Sequence, residues 1–227
     1  MSGRVGSITT DIIADGLVFN MDAANRASTI PISNVETSFN TIDTSISGAF
    51  SDNGIFDSST ISPSFAFGGT DDYIDLNMDL SPYNEISVGI WCYFSSNSGF
   101  MYSFGAGSSS GAGTGLGIAK YTGLYEIYTW DGANANRTST NVTQNVWSYI
   151  VVTQIGTIRK VYIDGILVST FPSAGNLNLN STTEIGRWTA NDYYLNGNTS
   201  PIHIYNRALS ANEVLHNYNA LKGRFGL

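Results

Sequence analysis

Aromatic rings, amides and a carboxylate occur together in one short segment near the C-terminal end of the chain, residues 188–196. A sugar ring presents an apolar face, which packs on aromatic side chains, and a rim of hydroxyl groups, which pair with amides and carboxylates. This mixture therefore predicts a glycan-binding loop, with core cover or packing at a protein interface as the alternative. The candidate residues are Trp188, Asn191, Asp192, Tyr193, Tyr194 and Asn196.

A second patch combines Trp130 with Asp131 and the nearby Asn134. Its ring, carboxylate and amide are the same kinds of group, so Trp130 and Asp131 are also candidate glycan-binding residues. Asp131 begins an Asp-Gly dipeptide after an apolar segment, and this dipeptide predicts a tight turn.

Short apolar segments separated by turn residues must position these groups, and this pattern is typical of an all-β protein. Residues 86–94 alternate between two faces and predict a strand, and residues 16–21 predict an earlier one. Residues 146–170 predict hairpins, because Asp164-Gly165 between apolar segments favours the left-handed backbone of a tight turn. In residues 25–57 the apolar residues are too scattered for a strand assignment.

One helix is predicted at the C-terminal end, where Ser210 and Glu213 form a capping box. Gly223 is the predicted C-terminal cap. No linker divides the chain, so residues 15–227 are predicted to form one domain and residues 1–14 an N-terminal arm. The predicted apolar stripe of the helix consists of Val214, Leu215, Tyr218 and Leu221.

Charge and composition exclude several classes of partner. The net charge is −8 with only three lysines, so the field of the protein repels phosphate backbones and nucleic-acid binding is not expected. No apolar run reaches membrane-spanning length, and the first residues lack the pattern of a secretory signal. Cys92 is the single cysteine, so no intrachain disulfide forms, and it is expected to be a small buried apolar residue.

Four segments resemble, in the right order, parts of laminin-G-like domains, which belong to the concanavalin-A-like jelly-roll proteins. These segments are residues 67–76, 86–91, 147–165 and 184–218. The resemblance implies an all-β fold, a two-sheet antiparallel jelly-roll sandwich with one short C-terminal helix. It also implies that Trp91 and Trp147 belong to the core and that ligands bind at one sheet face or at the rim.

Residues 16–25 and 217–227 are similar to the ends of such modules in structural proteins of tailed bacteriophages. This similarity implies a non-catalytic virion surface protein, a head decoration or fibre component, made in the host cytoplasm and displayed on released particles. Its partners would be other virion proteins, further copies of itself and host-surface glycans. The alternative is a carbohydrate-binding lectin module, and a glycoside hydrolase is a third, weaker hypothesis.

Catalysis is not expected. Glucanases of this fold resemble one another in a Glu-x-Asp-x-x-Glu strand, which holds the acid and the nucleophile on one face. No glutamate of this chain has that spacing, and His203 and His216, the only histidines, are predicted to be structural or solvated.

The resemblance also implies a calcium site at the rim of the sandwich, built from an aspartate, a second side-chain oxygen and backbone carbonyls. Asp71 and Asp72 are the candidate ligands, and Asp75 follows them on a predicted strand. The alternative is a turn without any cofactor, because aspartates in turns accept hydrogen bonds from their own backbone.

Overall fold

The computed structural model describes residues 12–30, 36–52, 55–59, 61–95, 101–107, 115–120, 126–130, 135–172, 175, 177, 179, 182–188 and 193–227. Its strands are β1 (Leu17–Met21), β2 (Thr37–Phe39), β3 (Ser47–Phe50), β4 (Phe56–Asp57), β5 (Ser64–Gly68), β6 (Ile74–Leu76), β7 (Glu85–Phe94), β8 (Met101–Gly107), β9 (Gly115–Lys120), β10 (Glu126–Trp130), β11 (Ala135–Asn141), β12 (Trp147–Ile155), β13 (Ile158–Ile163), β14 (Ile166–Phe171), β15 (Thr183–Ile185) and β16 (Asn196–Tyr205). One helix, α1 (Ala211–Leu221), and a 3₁₀ turn, Lys222–Phe225, close the chain.

The strands form two antiparallel sheets, each of eight strands. Sheet A has the order β14-β13-β12-β7-β16-β5-β4, with β1 paired to β16. Sheet B has the order β11-β10-β9-β8-β15-β6-β3-β2. The non-consecutive neighbours, with one helix among the described residues, confirm the predicted all-β jelly-roll sandwich.

The main hydrophobic core lies between the inner faces of the two sheets. Strand β7 shows how the sequence directs it, because Ile86, Val88 and Ile90 are fully buried in this core while Trp91 lies in a second cluster on the opposite face. This confirms the alternation predicted for residues 86–94. Sheet B contributes inward residues from its central strands: Ile74, Leu76, Phe104, Ala106, Leu116, Ile118 and Ile185.

Helix α1 covers the outer face of sheet A. The predicted capping box is confirmed, since the Ser210 side chain accepts a bond from the Glu213 N–H and the Glu213 carboxylate accepts one from the Ser210 N–H. The stripe is only partly confirmed, because Val214 is buried but Leu215 is 42% exposed. The prediction for Gly223 was wrong: the chain continues into the 3₁₀ turn, and Gly226 takes the left-handed conformation that ends it.

The predicted turn at Asp164-Gly165 is confirmed, with φ of 51° and 83° at these two residues, between β13 and β14. Asp131-Gly132 lies outside the described residues. The polar segment 25–57, for which no strand was assigned, contributes the short strands β2, β3 and β4. Each of these strands has only two to four residues, which is too few for an alternation of buried and exposed side chains to be recognised in the sequence.

The predicted N-terminal arm is described only from residue 12 onward. Ile12 and Ile13 pack against the cluster beneath helix α1, and the Ile13 N–H donates to Oδ1 of Asn217 over 2.8 Å. No helix in the described part of the chain is both long and apolar enough to cross a membrane.

Candidate functional site

A row of directly paired residues runs across the outer face of sheet B. It faces outward because successive side chains of a strand alternate, and the neighbours of Asp75 on β6, Ile74 and Leu76, point into the core. Half of its members are glycine or alanine, which have no side chain beyond Cβ, so the surface along the row is low. We call its two glycines, Gly105 and Gly117, the glycine floor of sheet B. In strand order the row consists of Thr37, Ala49, Asp75, Glu184, Gly105 and Gly117.

Arg187 holds a charged cluster beside this row. Its Nη2 and Nε donate to Oε1 of Glu184 over 2.7 and 3.1 Å, and its Nη1 donates to the Tyr194 hydroxyl over 3.3 Å. The guanidinium carbon lies 3.4 Å from the centre of the Tyr73 ring, a cation–π contact. Burial would lower the pKa of Arg187, but the bonds that it donates to Glu184 and Tyr194 outweigh burial and raise this pKa above its usual value. We call Tyr73, Glu184, Arg187 and Tyr194 the Arg187 cluster.

Asp75 is the exposed carboxylate of the row. It is paired with Glu184 on β15 and with the exposed Ala49 on β3. Partial burial raises the pKa of Asp75, the charge of Glu184 raises it further, and Arg187 opposes both. Within the described residues, Arg187 bonds Glu184 and not Asp75, so the Asp75 carboxylate is the acceptor that a ligand can reach.

Trp188 lies on the same face, above the glycines of the row. Its side chain is 2% exposed and packs edge-on against Tyr102, with ring centres 5.0 Å apart. A Cβ atom at Gly117 would come within 2.6 Å of the Trp188 ring, so glycine is needed for the ring to lie there. Trp188 is therefore buried and offers no stacking surface in this structure, as the core-cover alternative for this segment requires.

Two other residues of the predicted glycan loop lie at this face and are accessible. Tyr193 is 42% exposed, and its ring stacks on Tyr102 with 6.3 Å between the centres. Tyr194 is half-buried and belongs to the Arg187 cluster. The structure thus brings part of the predicted loop next to Asp75, which the sequence had placed in a different candidate site.

The second predicted patch is described only in its backbone. Trp130 is paired with Gly117 and so continues the row onto β10. Asp131, together with Asn191 and Asp192 of the first patch, lies outside the described residues. The predictions for these residues stay predictions.

Asp72 and Asn196, which belonged to separate candidate sites, meet at the turn that follows β5. Asp72 accepts a bond from the Gly68 N–H, and the Asn196 amide donates to the Gly68 carbonyl over 3.4 Å. Asp71 accepts a bond from the hydroxyl of Thr70 over 2.7 Å. The bond from the Gly68 N–H to Asp72 is of the backbone kind that the turn alternative expects. No three His, Cys, Asp or Glu side chains of the described residues are grouped to hold a metal ion, and the calcium site stays a prediction.

His203 and Cys92 are sealed inside the fold. Burial lowers the pKa of His203 to about 4, with the Asp22 charge opposing it, so the ring is neutral at pH 7. Burial raises the pKa of Cys92 to about 12, which leaves its thiol protonated and unreactive. Neither residue reaches the outer face of sheet B.

The family model of the concanavalin A-like lectin/glucanase superfamily, of the laminin-G type, matches residues 67–215. The chain belongs to this superfamily. The matched residues include Asp75 and the Arg187 cluster, whereas β2 and β3 precede them. No curated protein is similar enough in sequence to count as a relative.

Solved structures of low identity share the fold. Domain 4 of the extracellular arabinanase AbnA from Geobacillus stearothermophilus, in complex with arabinotriose, is 17% identical with a TM-score of 0.62, covering 89% of this chain and 98% of that one. Trypanosoma rangeli sialidase, in complex with the inhibitor DANA, is 15% identical with a TM-score of 0.66, covering 91% of this chain and 33% of that one. The receptor-binding domain of botulinum neurotoxin D is 16% identical with a TM-score of 0.65, covering 90% of this chain and 52% of that one.

The chain therefore spans about a third of the sialidase and about half of the toxin fragment. These neighbours include parts of enzymes as well as a receptor-binding domain. The shared fold alone does not distinguish catalysis from binding, and the site has to do so.

Sequence reasoning missed the Arg187 cluster as a unit. One signal was present, because Glu184 and Arg187 are three residues apart and bracket a glycine, Gly186, with φ of 86° that turns the chain back. The pairing of β6 with β15 carries the rest of the information, and a pairing between residues 75 and 184 cannot be read from local pattern.

Proposed function

We propose that this chain is a non-catalytic carbohydrate-binding domain and that its binding surface is the outer face of sheet B around Asp75. The observation that carries the proposal is the exposed Asp75 carboxylate, set between a floor of small side chains and the tyrosines of the Arg187 cluster. Such a surface offers a hydrogen-bond acceptor for sugar hydroxyls and aromatic rings on which the apolar face of a sugar can pack.

The rigidity of this surface supports the proposal. Arg187 is fixed by Glu184, by the Tyr194 hydroxyl and by the Tyr73 ring, so the two tyrosines are held in place before any ligand arrives. A surface that is ordered in advance loses less conformational entropy on binding. This matters for sugars, because each hydroxyl contributes only a modest net free energy.

Two of the structural neighbours agree with a binding role. The arabinanase domain matches this chain over nearly its full length and was solved in complex with arabinotriose. The toxin domain binds a receptor. Both show that this fold serves recognition in other proteins, and the proposal extends that role to the present chain.

The arrangement of the two carboxylates argues against glycoside hydrolysis. A glycosidase needs two carboxyl groups that both reach the scissile bond. The Glu184 side chain is only 3% exposed, and its Oε1 accepts both bonds from Arg187. Asp75 therefore has no second accessible carboxylate on the neighbouring strand with which to act.

A glycan-array screen of the purified chain tests the proposal, run with calcium and again with a chelator. We expect specific, saturable binding that Asp75→Asn weakens and that Asp15→Asn, an exposed change beside β1, leaves unaltered. Loss of binding on chelation would place a metal ion near the sugar and support the predicted calcium site. A blank array from a well-folded sample would overturn the proposal, and release of reducing ends would overturn its non-catalytic part.

The virion surface role is a second proposal. Its support is the similarity of residues 16–25 and 217–227 to bacteriophage structural modules, and these two segments are joined in the fold. Arg224 donates two bonds to the carboxylate of Asp22, over 2.8 and 3.0 Å. A virion component should co-purify with particles in a fixed stoichiometry, and its absence from purified particles would refute this role.

A further inference from the structure

Phe39 stands on the outer face of sheet B, two strands away from Asp75. It is 38% exposed, whereas the preceding Ser38 is buried. On the adjacent strand β3, a Cβ at Gly48 would point into the core against Ile74, so the neighbours of Gly48 point outward with Phe39. An exposed aromatic ring therefore lies at the edge of the sheet on the same face as Asp75.

The surface between Phe39 and Asp75 is open and low. Ser47 is paired with Phe39, and Ala49, paired with Asp75, is exposed. Asn77, the next outward residue after Asp75, is also exposed, and its N–H donates to the Ser47 carbonyl over 2.9 Å. From Glu184 on β15 to Phe39 on β2, this strip crosses three strand spacings, about 14 Å in total.

The charges of the strip between Glu184 and Phe39 determine which class of ligand it can bind. Arg187 is the one cation among the described residues of the strip and the adjoining Arg187 cluster, and Glu184 already neutralises it through the bonds at 2.7 and 3.1 Å. Asp75 then leaves one net negative charge at the surface. Ionised carboxylates only accept hydrogen bonds, so the strip favours a ligand that donates from hydroxyl groups and repels one that carries carboxylates or sulfates.

We infer that the ligand is an uncharged, linear oligosaccharide that lies across strands β6, β3 and β2, with a sugar ring stacked on Phe39 at its far end. This inference rests on the proposed function and adds the chain length and the charge of the ligand. Asp75 and the Arg187 cluster bind one end of the oligosaccharide. The strip accommodates its middle, and Phe39 provides the last contact.

The test is a binding titration with two panels of defined linear oligosaccharides, from disaccharide to hexasaccharide. One panel is neutral (arabinan, xylan, cellulose and amylose fragments), and the other contains uronates of matching length. Four proteins are compared: the wild type, Phe39→Ala, Phe39→Trp, and Ile166→Ala, which removes an exposed side chain from β14 of sheet A. Thermal melting of each variant checks the fold, which the exposed positions should leave intact.

The wild type should bind a neutral series with an affinity that rises with length until the strip is filled. Phe39→Ala should lower the affinity for long members about three- to tenfold and leave the affinity for the shortest member unchanged, because only long ligands reach the ring. Phe39→Trp should keep or exceed the wild-type affinity, and Ile166→Ala should match the wild type.

Equal losses for short and long members, or no loss at all, would overturn the path to Phe39 while leaving the proposed function intact. Uronate series that bind as well as neutral ones would overturn the charge selection. No binding in either panel would overturn this inference, and a blank glycan array from the same well-folded sample would remove the proposed function as well.

Discussion

The outer faces of sheets A and B carry different side chains at comparable positions of their central strands. On sheet A, the Trp91 ring lies 5.2 Å from Tyr149, 5.8 Å from Tyr218 and 4.2 Å from Phe225, all nearly parallel to it. Helix α1 and the 3₁₀ turn supply two of these rings and cover the face. On sheet B, Trp188 and Tyr102 cover the glycines of β8 and β9, and the open part of the face consists of small residues, Asp75 and the Arg187 cluster.

The comparison separates stability from recognition. Buried aromatic surface stabilises sheet A, and its outer face forms a second hydrophobic core. Sheet B keeps two acidic residues, Asp75 and Glu184, side by side, and partial burial together with the charge of Glu184 raises the pKa of Asp75, against the effect of Arg187. Arrangements that oppose stability are found where a protein binds or reacts.

The largest effect should come from the covered face. Trp91→Ala removes a ring that is 0% exposed, and we expect it to lower the free energy of unfolding by about 3–5 kcal/mol. The matched change on the open face, Phe39→Ala, should lower it by less than about 0.5 kcal/mol. Urea denaturation of both variants measures the contrast. Similar losses for the two variants would contradict the proposal that the outer face of sheet A serves stability and the outer face of sheet B serves binding.

The glycine floor of sheet B should be the next most sensitive feature. In Gly117→Ala the new methyl group would approach the rings of Tyr102 and Trp188 to 2.5 and 2.6 Å. Both rings must shift, and we expect a loss of about 1–3 kcal/mol together with a changed near-ultraviolet circular dichroism spectrum. Gly223→Ala is the control, because its methyl group would meet no atom within 4 Å. A neutral Gly117→Ala would show that Trp188 is not held against this floor.

The architecture could be predicted from sequence where a local pattern carried it. The alternation of residues 86–94, the turn at Asp164-Gly165 and the capping box at Ser210 each depend on neighbours within a few positions, and each is confirmed. The short strands β2 and β3 were missed because three or four residues give too little periodicity. Pairing of β3 with β6, and of β2 with β3, makes them strands.

The candidate site could be predicted only in part, for the same reason. Tyr193 and Tyr194 were found because they lie in a segment of suggestive composition. Trp188 lies in that same segment, yet it is buried against Gly105 and Gly117. Composition does not show which aromatic ring of a segment will pack on those glycines. Asp75 was noticed only beside Asp71 and Asp72, and its paired neighbour across the sheet, Glu184, is more than a hundred residues away in sequence.

Asp75→Asn should separate binding from stability on the open face. The variant loses a charged acceptor, so the affinity for a neutral glycan should fall about tenfold, or about 1.4 kcal/mol. The free energy of unfolding should stay the same or rise slightly, because the repulsion with Glu184 disappears. Calorimetric titration and urea denaturation of the same preparation measure both quantities. A variant that binds normally, or that loses stability as well, would contradict the role given to this carboxylate.

The smallest predicted effect is a pH dependence that belongs to the covered face. Bonds from Arg207, at 2.6 and 3.1 Å, and from Ser210 lower the pKa of Glu213 from 4.5 to about 2. Because the folded pKa is the lower one, Glu213 stabilises the fold above pH 4.5, and this contribution is lost as the pH falls towards 2. The group is partly solvated, so we expect only about 1 kcal/mol.

Urea denaturation of the wild type and of Glu213→Gln across this range measures that contribution. The difference between the two proteins should be largest near neutral pH and shrink as the wild-type carboxyl becomes protonated. Glutamine keeps part of the capping geometry, so the variant should still fold. A difference that stays constant with pH would mean that Glu213 stabilises helix α1 through shape and hydrogen bonding alone, and that its charge contributes nothing to covering sheet A.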